Sequence, residues 1–172
     1  MRSKAIVAGV GMTSFGRHLE TGLKALGAGA VQAAVGDAGI SLGDLQAAYV
    51  GNAAAGLVTG QECIRGQVIL RSIGLGKLPV VNVENACASG STAVNQAAAM
   101  VTAGAYDCVL VLGAEKLYHV DKQKSFAAFS GAELAADWAG SLPCAWPVTE
   151  EIRMPSHFPL AFDKARHVGD GV

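Results

Sequence analysis

The chain has 172 residues, enough for one domain with a sizeable core, since a protein of this size buries about 70% of its unfolded surface. A hydrophobic share of 51% against 16% charged residues excludes a disordered tail. The formal net charge of −1 argues against a nucleic-acid binder, which needs a basic surface to neutralise phosphates.

In chain order, Met1-Arg2-Ser3-Lys4 precedes only a short apolar run before Gly9, so no secretory signal is expected. Ala5 to Val10 reads as a buried strand, apolar without alternation. Thr21 to Ala38 reads as a helix, with Leu23, Leu26, Ala30, Val31 and Ala34 at helical spacing and Gly39 where a C-cap would sit. A second strand is expected near Ala47 to Gly51. Thr59-Gly60-Gln61-Glu62 has the pattern of a capping box, opening a helix that carries Ile64, Val68 and Ile69 and stops near Gly74. Pro79 to Val83 is a third strand, led in by a proline. Cys87 to Gly104 is an alanine-rich helix, and Cys108 to Leu112 a fourth strand. Asn85 to Tyr106 is the longest uncharged stretch, but Asn85, Asn95 and Gln96 speak for a buried soluble helix over a membrane span.

This β-α-β-α-β-α-β order predicts an α/β domain, a mostly parallel sheet with helices on both faces. The small side chains, with 22 glycines and abundant alanine, predict elements packed at close range. The core is expected over residues 1–116. From 117 to 162, charged, aromatic and proline residues mix without a period, which reads as a loop excursion. Residues 163–172 form a tail with no packing signal.

The stretch most informative for chemistry is Val83-Glu84-Asn85-Ala86-Cys87-Ala88-Ser89-Gly90-Ser91-Thr92. A strand ends, the chain turns, and a cysteine stands where a helix begins. Helix N-termini carry about half a positive charge and unpaired N–H groups, which favour an anion such as a thiolate. Small neighbours leave room for a bulky thioester, and the N–H of Cys87 suits a tetrahedral oxyanion. On position and neighbours alone, a small buried hydrophobe is an equally weighted reading of Cys87.

Asn85-Ala86-Cys87-Ala88-Ser89-Gly90-Ser91 resembles the nucleophile motif of the thiolase family, and with Val83-Glu84 it looks most like the sterol-carrier-protein-type branch. Val10 to Gly16 resembles the family's start. Ala105 to Lys116 looks like the strand and turn after the nucleophile helix, and Met154 to Phe158 like part of a substrate-covering loop. The likeness runs to about Phe162. It implies a thiolase-like N-terminal fold and an acyltransferase in which Cys87 is acylated by an acyl-CoA, with its own N–H as oxyanion donor. A second acyl-CoA then condenses to a 3-ketoacyl-CoA, or thiolysis runs in reverse. Met154 and His157 would line the acyl or pantetheine channel. The resemblance implies no metal and no cofactor beyond coenzyme A thioesters as substrates. It also implies a homodimer or homotetramer, with Pro79 to Val83 at the subunit seam.

Family members are much longer, and their second half supplies the activating histidine and an acid–base cysteine. His18, His119, His157 and His167 lie in no block resembling those motifs. The chain is therefore expected to be a fragment, or one part of an assembly whose partner chain supplies the missing half. The rival expectation is a non-catalytic thiolase-like subunit or pseudoenzyme acting through protein–protein interaction. A cytoplasmic location is expected, or a peroxisomal one in a eukaryote, although no C-terminal targeting signal is seen.

The remaining candidates carry plainer expectations. Gly9-Val10-Gly11 reads as a tight turn rather than a dinucleotide fingerprint, because Ser14 occupies the third glycine position. Cys63, Cys108 and Cys144 form no CxxC pair and read as free thiols, the first two in the core and the last in a loop. Lys122, Gln123 and Lys124 read as a solvated loop rather than a seat for CoA phosphates.

Overall fold

The computed structural model describes residues 5–133 and 160–164. Met154, His157, Cys144 and His167 lie outside them, as does most of the tail. Among the described residues five strands build one sheet: β1 (Val7–Gly11), β2 (Ala47–Gly51), β3 (Val80–Val83), β4 (Cys108–Gly113) and β5 (Leu160–Lys164). Five helices among the described residues accompany it: α1 (Leu23–Ala38), α2 (Ala55–Thr59), α3 (Arg65–Arg71), α4 (Ser89–Thr102) and α5 (Lys122–Glu133).

The sheet order is β1-β5-β4-β2-β3. β2 runs parallel to both β3 and β4, whereas β5 is antiparallel to its neighbours β1 and β4. The expected mostly parallel sheet is therefore present, with one reversed strand filling the gap between the first and fourth.

Strand alternation sorts the core into two layers, because successive side chains point to opposite faces. Ala48, Val50, Leu110 and Leu112 pack against Val31 and Ala34 of α1 and Ile69 and Leu70 of α3. Ala47, Tyr49, Val109 and Val111 pack against Ala93, Ala97 and Val101 of α4. Helices thus cover both faces. The buried positions of α4 recur every fourth residue (Ser89, Ala93, Ala97, Val101), and their small side chains let its axis approach the sheet closely.

Close approach also explains the glycines of β1. A Cβ on Gly9 or Gly11 would collide with the backbone of α1 at Ala38 and Ala34. The expected tight turn at Gly9-Val10-Gly11 is instead continuous strand, and its glycines serve helix–sheet packing.

The capping box expected at Thr59 to Glu62 is not formed. Thr59 ends α2, with its hydroxyl donating to the Ala55 carbonyl, and Gly60 closes that helix in the left-handed conformation at φ 78. The next helix starts only at Arg65, after Ile64 at φ 48. Cys63 consequently stands exposed in the intervening loop rather than in the core, while Cys108 is buried in β4 as expected. A reciprocal capping box does form at Ser41 and Asp44, where a short 3₁₀ turn precedes β2.

Two elements occupy the stretch read as excursion and tail. α5 packs beside α2, and β5 spans residue 162, where the excursion was expected to end. β5 takes its place from the slot between β1 and β4, a long-range cause with no local sequence signature.

Candidate functional site

After β3 the chain makes a tight turn that a few short-range hydrogen bonds define. Glu84 accepts the N–H of Ala86 at 2.7 Å, and Ala88 N–H reaches Asn85 O at 2.9 Å. Ala86 adopts φ 45, a left-handed conformation that costs a non-glycine residue energy. The Ser89 hydroxyl offsets that cost: it donates to Ala86 O at 2.7 Å and accepts from Asn85 N–H at 2.8 Å. Asn85 also ties to Thr92 through Nδ2 at 2.9 Å, joining the turn to the first turn of α4.

Cys87 sits between these clamped residues, exposed, and two positions ahead of the first residue of α4. The helix was expected to begin at Cys87; it begins at Ser89, with Ala88 as a cap lacking a side-chain hydrogen bond. The Cys87 N–H has no hydrogen-bond partner among the described residues. A free N–H beside an exposed sulfur, in front of a 14-residue helix, is an arrangement that receives negative charge.

The sulfur-bearing turn opens on a cavity of about 380 Å³. Its walls are the turn itself (86–90), the loop after β1 (residues 12–18), the exit of β2 (51–54) and the exit of β4 (113–118). All three strands deliver their C-terminal ends to it, the usual ligand position of a parallel α/β sheet. Gly51 sets the floor: a Cβ there would stand 2.8 Å from Ser89 C and O and 2.9 Å from Gly90 N. Only glycine lets α4 start this close to β2.

Three residues that the sequence reading left without a role shape the other walls. Glu115 accepts the N–H groups of Ala53 at 2.8 Å and Ala54 at 3.1 Å, tying the exit of β4 to the start of α2. Asn52 donates to Ala114 O and to Glu115 Oε1, the latter at 3.2 Å. Lys116 Nζ donates to His18 O at 2.8 Å and Thr21 O at 2.6 Å, pinning the loop after β1. Beyond them Tyr118 carries Arg17 at 5.5 Å and Lys122 at 3.6 Å from its ring centroid, so Lys122 is held by an aromatic face rather than only solvated.

Tyr49, buried beneath α4, has its phenol pushed above the ordinary value of 10.0, first by burial and then by the neighbouring Tyr106. Among the described residues no cluster of three or more His, Cys, Asp or Glu side chains could hold a metal ion. No helix among them is long and apolar enough to cross a membrane.

Known proteins resemble this chain in sequence and in fold. Residues 5–144 match the N-terminal domain of thiolases. An acetyl-CoA acetyltransferase of Methanocaldococcus jannaschii is 42% identical over 144 residues, covering 83% of this chain and 36% of that protein. A benzoylsuccinyl-CoA thiolase subunit of Thauera aromatica is 37% identical over 130 residues, covering 74% of this chain and 32% of that one. The chain thus spans about a third of the length of these curated relatives. Among solved structures, the priming β-ketosynthase of the R1128 polyketide pathway aligns with a TM-score of 0.56 at 18% identity, covering 67% of this chain and 43% of that one. The 3-oxoacyl-[acyl-carrier-protein] synthase III of Aquifex aeolicus gives 0.51 at 20% identity, covering 57% and 31%. At these identities the two structures show a shared fold alone.

Proposed function

The chain belongs to the thiolase family through its N-terminal domain, and from that premise we propose that it is a thiolase-type acyltransferase component whose Cys87 takes an acyl group from an acyl-CoA. One observation supports this above all: an exposed cysteine on a braced turn ahead of α4, facing a cavity large enough for a thioester.

In this reading the Cys87 thiolate attacks the thioester carbonyl. The carbonyl oxygen becomes an oxyanion that the Cys87 N–H stabilises. Collapse breaks the bond to the CoA sulfur, which leaves as a thiol with the proton released from Cys87. The acyl group remains on Cys87 as a new thioester. Met154 and His157 belong to the proposal as channel residues.

The later step, condensation with a second acyl-CoA or thiolysis, needs the histidine and acid–base cysteine that the family carries in its second half. A partner chain or a longer protein would supply them. A dimer seam along Pro79 to Val83 fits the same reading, since β3 is the last strand of the described sheet and Val81 is 42% exposed.

The test is intact mass after incubation with acetyl-CoA. An acetyl adduct mapped to Cys87, and absent from Cys87→Ala, is the expected result. No adduct, with ordinary alkylation of Cys87 by iodoacetamide, would instead favour the non-catalytic interaction role.

A further inference from the structure

We propose that Gly113 is the residue that sets acyl-group size, the space left by its missing side chain taking an apolar acyl group larger than acetyl. The inference rests on the acyl-transfer reading above and names the class of acyl group for it.

Gly113 ends β4 and Gly51 ends β2, and the two are register partners. Strand alternation decides where a side chain at either would go, since residues two apart share a face of the sheet. Tyr49 and Val111, two positions earlier, pack with Ala93 and Ala97 of α4. Both glycines therefore turn their empty side-chain positions to the face that α4 covers. What fills those positions differs. At Gly51 the start of α4 does, with backbone atoms of Ser89 and Gly90 at 2.8–2.9 Å from an added Cβ. Gly113 stands one strand spacing to the side, about 4.8 Å, and no described atom lies within 4 Å of a Cβ there. β3, which feeds the Cys87 turn, adjoins β2 on its other edge. The chain thus reaches α4 from the β3 side and leaves the β4 side open.

That opening belongs to the site. Gly113 is exposed although the five residues before it in β4 are buried, and it lines the same cavity as Cys87 and Ser89. An acetyl group would fill only a fraction of about 380 Å³, a volume in the range of sites for larger organic ligands. Coenzyme A is far larger than the cavity, so its arm must run out through the mouth, and the acyl group keeps the space against the sheet. Ala53, Ala86 and Ala114 line that cavity too. Each further methylene placed among such walls leaves water for an apolar surface, which favours it.

The experiment uses the full chain with acetyl-CoA and hexanoyl-CoA, following the thioester on Cys87 by mass against time. In each transfer the Cys87 sulfur bonds the carbonyl carbon, the bond to the CoA sulfur breaks, and CoA leaves as the thiol. With the unaltered chain, hexanoyl-CoA should acylate Cys87 at least as fast as acetyl-CoA. In Gly113→Leu the ratio of hexanoyl to acetyl rate should fall by on the order of tenfold, the usual effect of crowding a pocket by a few methylenes. Gly113→Ala should lower it by a smaller factor. Taking the ratio within each variant cancels any general loss of folded protein. A ratio that Gly113→Leu leaves unchanged overturns the inference; should that variant not fold, an unchanged ratio in Gly113→Ala overturns it in the same way. An unaltered chain that takes hexanoyl more slowly than acetyl also overturns it, and that comparison needs no variant. Absence of any adduct from either donor overturns the acyl-transfer reading itself. Adducts whose rate ratio ignores residue 113 overturn only the role of Gly113.

Discussion

Gly51 and Gly113 are register partners at the ends of β2 and β4, which makes alanine at each a paired experiment. At Gly51 the new methyl would meet Ser89 and Gly90 backbone atoms at 2.8–2.9 Å, about 0.6 Å inside ordinary contact. Backbone cannot rotate away as a side chain can, so the start of α4 must shift. Overpacking of this kind costs about 1–3 kcal/mol. Taking about 2 kcal/mol, a chain of this length should lose roughly 4–8 °C in melting temperature. The same shift moves the turn that carries Cys87, and acylation should slow by about tenfold. At Gly113 nothing lies within 4 Å of the added carbon. Gly113→Ala should therefore melt at or slightly above the unaltered chain, because alanine reduces the freedom of the unfolded state. Thermal melts followed by circular dichroism, with acylation rates by mass, read both variants. Equal melting temperatures for the two would refute the view that contact between β2 and α4 positions the cysteine.

Two further expectations follow from the walls and the core. Lys116→Met removes both hydrogen bonds that pin the loop after β1, so trypsin should cut after Arg17 about tenfold faster; unchanged cleavage would count against that anchor. Tyr49 holds its proton more tightly in the folded chain than in the unfolded one. Its contribution is therefore full below the unfolded value near 10.0 and is lost as pH rises through the raised folded value. Urea midpoints at about pH 8 and about pH 11 should diverge less in Tyr49→Phe than in the unaltered chain; equal divergence in both would place the alkaline sensitivity elsewhere.

The strands were legible because their cause is local. Ala47 to Gly51 and Cys108 to Leu112 are short apolar runs that only a covered sheet can hold. The Cys87 turn was legible too, since small residues and a cysteine between a strand and a helix limit what the segment can be. Thr59 to Glu62 misled because a capping box and a glycine-terminated helix share residue types, and which forms depends on what packs nearby. The walls of the cavity left no trace in local pattern. Asn52 meets Ala114 and Glu115 across about sixty residues, and Lys116 meets His18 and Thr21 across nearly a hundred. Pairings of that range are fixed by which strands adjoin, and the placement of β5, which sets the neighbours of β1 and β4, has no periodic signal of its own.

That late insertion has a consequence for how the molecule is made. β1 is made well before its only described strand partner, which is drawn from residues 160–164. Until those residues are made, the nascent sheet can join only β2, β3 and β4, while β1 rests on α1 with an unpaired edge. Long-range pairings of this kind are slow to form and leave strand edges open to other chains in the meantime. Yield in cells should thus depend on translation speed and chaperone supply more than the short, local βαβ units alone would suggest.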